Sequence, residues 1–182
     1  MLLTPLEAAE LSSLVRATAK LEGAMAEVGV FRGASAGLMH ESDPGRALHL
    51  FDTFEGLPEP AQTDTEFRNG QFLKGQFACA LDEVKDYLGP SDSIFYHQGL
   101  FPDSAEDVKG ERFSLVHADV DLYASTRSVL EFFYPRLVPG GVILSHDFHS
   151  CQGPHRAISE FFDNKPEPII ELPGDQAVIV KV

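Results

Sequence analysis

Short apolar runs rich in branched and aromatic residues alternate along this chain with segments whose apolar residues recur at helical spacing. Runs of this kind, most of them closed by a polar or glycine-rich turn, are typical of buried β-strands. Five strands are predicted, over residues 24–30, 47–53, 93–99, 113–120 and 142–147. Helices are predicted between them over residues 78–88 and 123–137. Pro139, Gly140 and Gly141 follow the second helix as stop signals.

The last part of the chain has a different pattern. Residues 168–172 and 177–182 are two strand-like runs joined by a Pro-Gly-Asp-Gln turn, which predicts a terminal hairpin. Alternating strands and helices indicate βαβ units, whose right-handed crossovers place helices on both faces of a parallel sheet. The predicted fold class is therefore α/β, as a single domain over residues 1–182 with a mostly parallel sheet and an antiparallel last strand.

Residues 55–76 interrupt the alternation, because they contain prolines and glycines and show no sustained periodicity. Loops of this length in compact domains are usually functional lids or disordered segments. Two interpretations are open, a cover over a ligand or a passive insertion.

A glycine-rich turn follows the first predicted strand. Residues 27–37, EVGVFRGASAG, pass through small side chains into a helix, so a ligand can approach the backbone closely. The glycines recur every four residues and do not match the GxGxxG dinucleotide fingerprint, which argues against a nicotinamide cofactor. A purely structural turn is the alternative.

Asp52 ends the second predicted strand, in the segment LFDTF. In doubly wound folds an acid at this place accepts hydrogen bonds from ribose hydroxyls. The glycine-rich turn and Asp52 together predict a nucleoside-containing ligand. The alternative, a helix cap, is disfavoured because the following Glu-Gly-Leu-Pro is a poor helix start.

Acidic side chains follow the fourth and fifth predicted strands. Asp119 and Asp121 come after the fourth strand, and His146 and Asp147 come at the end of the fifth. Carboxyl ends of parallel strands border one crevice, so these four side chains are expected to converge. Three carboxylates would repel one another, and a divalent cation with oxygen and nitrogen ligands would neutralise them. The alternative is that Asp119 and Asp147 only cap the following helices.

Other kinds of site have less support. The spacing of His149, Cys151 and His155 matches no recognised zinc pattern, so we expect no zinc site there. Neither a GxSxG nucleophile elbow nor a GxxxxGK[ST] phosphate loop is present, which leaves acyl-enzyme hydrolysis and nucleoside-triphosphate hydrolysis without support. Cys79 and Cys151 are too few for a disulfide framework, and this favours a reducing compartment.

Charge and hydropathy narrow the range of partners. The 182 residues include 28 acids and 14 bases, and the net charge of -14 opposes binding to nucleic acid, although acidity also serves solubility alone. The amino end lacks a secretory signal, and no segment reaches the roughly 18 apolar residues of a membrane span. We expect a cytoplasmic protein that binds neither nucleic acid nor membranes, and a homo-oligomer is compatible with the sequence.

Five segments in the same order resemble the macrocin O-methyltransferase family, sugar-modifying enzymes of macrolide and aminocoumarin biosynthesis. They are AEVGVFRGASA, LFDTFEGLP, GLFPDS, HADVDLYAST and FYPRLVPGGVILSHDF. The resemblance implies S-adenosylmethionine as the cofactor and a Rossmann-like class I methyltransferase fold, in which the last of seven strands is antiparallel.

The resemblance also implies roles for the residues around the cofactor. Glu27, Gly29 and Ser35 would surround its methionine portion. Asp52 would bind the ribose, and Gly99 would lie near the adenine.

The same resemblance implies roles for the acidic cluster, the name used here for the group Asp119, Asp121, His146 and Asp147. Asp119 would be a metal ligand that also borders the cofactor, and Asp121 would be the general base. A pair of acids after the fifth strand usually completes the metal site, whereas here the pair is His146 and Asp147. Because imidazole replaces a carboxylate, the expected ion is magnesium or one of manganese, cobalt, nickel and zinc.

The implied activity is methyl transfer to a hydroxyl of a small molecule, such as a sugar of a natural product, with the metal holding the acceptor oxygen. Family members usually carry an amino-terminal helical extension over the active site, so the acceptor is the least transferable inference. One alternative, a nucleic-acid amino-methyltransferase, is disfavoured because its D-P-P-Y-like motif is replaced by DVDL at residues 119–122. The other is a non-catalytic S-adenosylmethionine-binding module or a partner-dependent subunit.

Overall fold

A computed structural model describes residues 3–61, 64 and 71–182 of the chain. The strands within this part are β1 Ala24–Val28, β2 Leu48–Asp52, β3 Ile94–Gln98, β4 Phe113–Ala118, β5 Leu137–Ser145, β6 Ile170–Glu171 and β7 Ala177–Val180. The α-helices are α1 Pro5–Thr18, α2 Ala34–Ser42, α3 Leu81–Leu88, α4 Tyr123–Phe133 and α5 Gln152–Phe162. Short 3-10 helices are formed by Asp103–Val108 and Tyr134–Arg136.

All of these strands belong to one sheet, in the order β3-β2-β1-β4-β5-β7-β6. Strands β1 to β5 pair in parallel, whereas β7 runs antiparallel to both β5 and β6. The predicted α/β fold with an antiparallel last strand is confirmed. Because the strand order reverses between β1 and β4, a crevice opens at the carboxyl ends of these two strands.

Two apolar cores lie on opposite faces of the sheet. On one face, α1, α2 and α3 contribute residues such as Leu11, Met39 and Val84. On the other, α4 and α5 contribute residues such as Phe133 and Ile158. Helices on both faces are what right-handed βαβ crossovers require, and they leave the strand ends free to form a site.

The five predicted strands of the parallel sheet are present, and each ends one or two residues earlier than predicted. The second predicted helix is also shorter, because α4 ends at Phe133. Pro139, Gly140 and Gly141 are therefore not its stop signals; they lie inside β5, where the pairing with β4 shifts register. A Cβ on Gly141 would lie 2.8 Å from the carbonyl oxygen of Val138, so the irregular segment requires glycine there.

Two helices were not predicted. Helix α1 begins with a capping box, in which Thr4 accepts from the backbone N–H of Glu7 and the Glu7 carboxylate accepts from that of Thr4. Pro5 at its first position is a second start signal that is readable from sequence. Helix α5 begins at Gln152 and includes Gly153 and Pro154, two residue types that are more typical of turns.

The predicted loop over residues 55–76 lies partly outside the described residues, which cover 55–61, 64 and 71–76 of it. Within the described part of the chain, no helix is both long and apolar enough to span a bilayer.

Candidate active site

A cavity of about 1150 Å³ opens at the carboxyl ends of the parallel strands. Its wall includes the glycine-rich turn after β1, Asp52 at the end of β2 and the acidic residues that follow β4 and β5. The first turn of α1 and the turn between β6 and β7 complete it on one side. The two groups of residues that the sequence singled out therefore border one continuous space.

In the turn after β1, the backbone lies very close to a neighbouring segment, as its glycines predict. Gly29 has a φ of +86°, and a Cβ at this residue would lie 1.8 Å from the carbonyl oxygen of Asp119. Only glycine fits where the ends of β1 and β4 meet. Gly33, with a φ of +77°, is the N-cap residue of α2. The turn thus directs the N-terminus of α2 toward the cavity, where Ser35 also lies in the wall.

The carboxylate of Asp52 organises this turn. Its Oδ2 accepts hydrogen bonds from the backbone N–H groups of Val30 at 2.7 Å and Phe31 at 2.9 Å, and its Oδ1 accepts one from Phe54 at 2.8 Å. No helix begins beside Asp52 in the described chain, so the helix-cap alternative is wrong. Gly99, whose N–H donates to the Asp52 carbonyl, lies next to it in the wall.

Glu27 occupies a different place from the other predicted cofactor residues. Its carboxylate is fully buried, and Oε1 lies 2.8 Å from Nδ1 of His117. Burial raises the pKa of the Glu27 carboxyl, while the imidazole of His117 opposes that shift. Glu27 thus lies beneath the residues of the cavity wall rather than among them.

The four residues of the predicted acidic cluster converge in the cavity. Asp121 and Asp147 both adopt a left-handed backbone with φ of 57°, a conformation that aspartate tolerates better than most residues. His146 Nδ1 lies 3.1 Å from Asp147 Oδ2 and 3.4 Å from Asp119 Oδ1. Neither contact is aligned as a hydrogen bond. The ring therefore lies between the two carboxylates as a close neighbour of both.

The charges in this cluster shift the protonation of its members. Burial raises the pKa of the Asp121 carboxyl well above its usual range, and the charges of Asp119 and Asp147 raise it further. Burial opposes protonation of His146, but the carboxylates of Asp119 and Asp147 outweigh it and raise the imidazole pKa to about 11. The cluster therefore favours a positive charge, which a protonated His146 or a metal ion can supply.

The donor atoms fit a divalent metal. One atom each from Asp119, His146 and Asp147 lies within 4.8 Å of the others, and all three residues border the cavity. The capping alternative for Asp119 and Asp147 is wrong, because the N-cap residues of α4 and α5 are Leu122 and Cys151.

His149, Cys151 and His155, whose spacing matches no zinc pattern, make separate contacts. The His149 ring lies 3.7 Å from Glu171, whereas the His155 ring packs on Phe148. Cys151 instead lies near Asp121 and Asp147.

Sequence reasoning missed three acids that shape the site. Glu7 is buried in the cavity wall, with Oε2 at 3.8 Å from His146 Nε2 and Oε1 accepting from the N–H of Asp175. Asp175 in turn accepts from the backbone N–H of Ser150. Asp64 accepts from the N–H of Tyr123 at the start of α4. Only the role of Glu7 as a cap was readable, from the TPLE pattern at residues 4–7.

The family described as Macrocin-O-methyltransferase (TylF) matches residues 8–177 of the chain. A relative from Streptomyces olivaceus, 8-demethyl-8-(2,3-dimethoxy-alpha-L-rhamnosyl)-tetracenomycin-C 4'-O-methyltransferase, is 32% identical over 69% of this chain and 53% of its own length. Mycinamicin III 3''-O-methyltransferase from Micromonospora griseorubida is 26% identical, and the match covers 82% of this chain and 65% of that protein. The chain thus spans between about half and two thirds of the length of these relatives.

The crystal structure of a calicheamicin methyltransferase is similar to this fold, with a TM-score of 0.81 at 21% identity over 95% of this chain and 77% of that one. At that identity the likeness shows the fold, which is the class I methyltransferase architecture. Since the family match extends over nearly all of the sequence, this chain belongs to the macrocin O-methyltransferase family.

Proposed function

We propose that this protein is an S-adenosylmethionine-dependent O-methyltransferase whose acceptor is a hydroxyl of a small molecule, such as a sugar of a natural product. The observation that carries the proposal is the single cavity bordered by both the glycine-rich turn and the acidic cluster. Cofactor and acceptor would then meet inside one protein-walled space. The names of relatives that act on rhamnosyl-tetracenomycin and mycinamicin support a sugar acceptor.

The cofactor side of the cavity would be formed by the turn after β1. Asp52 would bind the ribose with oxygen lone pairs that the backbone amides leave free, and the same amides hold its carboxylate in place. Gly29 and Ser35 would border the methionine portion, and Gly99 the adenine. Glu27 would act indirectly, as a buried support for the end of β1.

The acceptor side would be formed by the acidic cluster. Asp121 lies in the wall after β4, and its carboxylate would take the proton of the acceptor hydroxyl during transfer. Asp119, His146 and Asp147 would hold a divalent ion, and Asp119 would also border the cofactor. When bound, such an ion supplies orientation of the acceptor oxygen and a lower pKa of its hydroxyl. The imidazole would favour manganese, cobalt, nickel or zinc over magnesium.

Two matched substitutions separate these roles. Asp119→Asn should weaken metal binding, and Asp121→Asn should retain the metal but lose most methyl transfer, on the order of 100-fold or more for a general base. Asparagine keeps the size of the side chain and tolerates the left-handed backbone of residue 121. Metal binding would be followed by calorimetry, and transfer by labelled S-adenosylmethionine with a panel of glycosides and phenols. Near-normal turnover in both variants would refute the assigned centre.

A second candidate is a cofactor-binding module without catalysis. The position of His146 favours it, because a protonated imidazole between Asp119 and Asp147 neutralises the cluster without a metal. Tight S-adenosylmethionine binding with no turnover of any panel acceptor, with or without added metal, would support this candidate. Metal-dependent turnover would exclude it.

A further inference from the structure

A buried pair of polar side chains lies behind the glycine-rich turn. Glu27 on β1 and His117 on β4 are register partners, so their side chains leave neighbouring strands on the same face of the sheet. Both are fully buried, and Nδ1 of His117 lies 2.8 Å from Oε1 of Glu27. Apolar side chains in place of such a pair are often neutral or stabilising, so the pair is a poor source of stability. Its place beneath the cavity wall indicates a different role.

The hydroxyl of Ser35 connects this pair to the cavity. Ser35 lies in the first turn of α2 and borders the cavity, and its hydroxyl lowers the pKa of the buried Glu27 carboxyl by hydrogen bonding. Oε2 of Glu27 has no aligned donor among the described residues, which leaves it free to accept from this hydroxyl. A serine hydroxyl has one proton to donate and two lone pairs with which to accept. When the proton is directed to Glu27, only lone pairs face the cavity.

The two ring nitrogens of His117 have different surroundings. Nδ1 contacts Glu27, whereas the buried Nε2 has no hydrogen-bond partner in the part of the chain that the structure describes. A buried N–H group without an acceptor is rare in folded proteins, because it loses its bond to water and gains none in return. The ring is therefore expected to carry its proton on Nδ1, where the Glu27 carboxylate accepts it.

We propose that His117 is a positioning residue for the cofactor, which acts through Glu27 and Ser35 to select the ammonium group of the methionine portion. His117 donates from Nδ1 to Glu27 and keeps that carboxylate an acceptor, so the Ser35 proton points inward and its lone pairs face the ligand. These lone pairs accept from an ammonium group and repel a carboxylate, the two charged groups of that portion. The inference rests on the proposed function, and it assigns cofactor selectivity to a residue outside the cavity wall.

Calorimetry with S-adenosylhomocysteine and its analogue without the amino group tests the assignment. The ratio of their dissociation constants, the ammonium factor, should be about tenfold or more in the native protein, the range for a hydrogen bond to a charged group. It should shrink at least about threefold in His117→Leu and in Ser35→Ala, and no further in the double variant, because both residues act through one chain of contacts. His117→Asn, whose amide can still donate, should keep most of the factor. An analogue without the carboxyl group should bind all these variants and the native protein with the same relative affinity.

His49→Leu is the matched control, because His49 is also a buried imidazole on a strand next to β1 but packs against Phe51 and Phe113 of the opposite core. It should leave the ammonium factor unchanged. Circular dichroism checks that the variants are folded. Nitrogen NMR of the native protein needs no substitution and should find the His117 proton on Nδ1.

Two results would overturn the inference: a His117 proton on Nε2, or the same ammonium factor in the native protein, His117→Leu and Ser35→Ala. Either would leave the proposed function standing, since S-adenosylhomocysteine would still bind. Failure of the native protein to bind S-adenosylhomocysteine would instead refute the proposed function, and the inference with it.

Discussion

At the scale of single residues, backbone conformation limits which side chains the acidic cluster can contain. Asp121 and Asp147 both have a φ of 57°, in the left-handed region where aspartate and asparagine are enriched and most other side chains are strained. Asparagine can therefore remove a charge at either place without adding strain, whereas alanine or glutamate changes the backbone energy as well. Tests of chemistry at these two positions are cleanest with asparagine.

Asp52 combines a structural contact with a proposed contact to the ligand. Asp52→Asn keeps one oxygen that can accept from the N–H groups of Val30 and Phe31, but it removes the negative charge and replaces the other oxygen by an NH₂ group, which cannot accept a hydrogen bond. We expect S-adenosylmethionine to bind about 1.5 to 3 kcal/mol more weakly, the range for losing hydrogen bonds to a charged group. Calorimetry measures this, with Asp92→Asn, an exposed acid beyond the opposite end of β3, as the control. Unchanged affinity in a folded Asp52→Asn variant would contradict the ribose assignment.

At the scale of secondary-structure elements, α4 is capped by a residue from another part of the chain. Its N-cap residue, Leu122, has no side-chain acceptor, and Asp64 Oδ1 accepts from the N–H of Tyr123 at 2.7 Å instead. Gly153 of α5 packs against the same carboxylate, since a Cβ there would lie 2.6 Å from Asp64 Oδ1. Asp64 therefore joins the beginnings of α4 and α5, directly beside the residues that follow β4 and β5.

Removing this carboxylate should destabilise the fold. Asp64→Ala is expected to lower the free energy of unfolding by about 1 to 2 kcal/mol, as for loss of a helix cap, and Asp64→Asn by less because the amide oxygen still accepts. Urea denaturation gives the values. Asp163→Ala is the control, because that acid is exposed at the C-terminal end of α5. Equal stability of native protein and Asp64→Ala would show that the contact contributes nothing.

At the scale of the whole molecule, sequence periodicity was sufficient to predict the strands of the sheet, but it could not predict which distant segments contact one another. Each parallel strand carries its own local pattern, so β1 to β5 and the hairpin could be predicted. The contact of Glu7 with His146 joins α1 to the end of β5, and nothing local to either residue specifies it. Pro139 and Gly140 were misread because an irregular strand and a helix end use the same residue types.

The same limit applies to the site. Asp52 and the acidic cluster were predictable because parallel strands bring their carboxyl ends together whatever the loops contain. Cys151 lies near the cluster only because of the turn that leads into α5, a helix that the glycine and proline at residues 153 and 154 concealed. Whether Glu27 lies in the cavity wall or beneath it depends on the pairing with His117, which periodicity does not specify.

Stability of the whole domain should depend on pH through a buried histidine pair. His49 Nδ1 lies 3.0 Å from His97 Nε2, and His97 Nδ1 lies 3.3 Å from Asp107. Burial and the neighbouring His97 lower the pKa of His49 to about 4, and Asp107 opposes the shift only in part. The unfolded chain, with a histidine pKa of about 6.5, therefore binds more protons than the folded protein below that pH.

The stability that neutral His49 contributes is fully present above about pH 6.5 and is lost as pH falls toward 4. At ~1.4 kcal/mol per pKa unit, the free energy of unfolding should fall by up to about 3 kcal/mol. Urea denaturation across this range should show a shallower decline in His49→Phe than in the native protein. His155→Gln changes an exposed ring and should leave the slope unchanged. If the free energy of unfolding fell with pH at the same rate in the native protein and in His49→Phe, His49 would be excluded as the source of the pH dependence.

The contact between Gly29 and the Asp119 carbonyl has a consequence for how damaging variants are interpreted. Since a Cβ at residue 29 would overlap that oxygen, Gly29→Ala must displace the backbone that carries Asp119 and, two residues later, Asp121. A genetic screen scored on product alone would assign the defect to a broken cofactor loop. Part of the lost activity would instead come from displacement of the Asp119 and Asp121 carboxylates, which follow the neighbouring strand β4. A substitution at residue 29 can therefore weaken both cofactor binding and metal binding. Only separate cofactor and metal titrations of the same variant can distinguish the two defects.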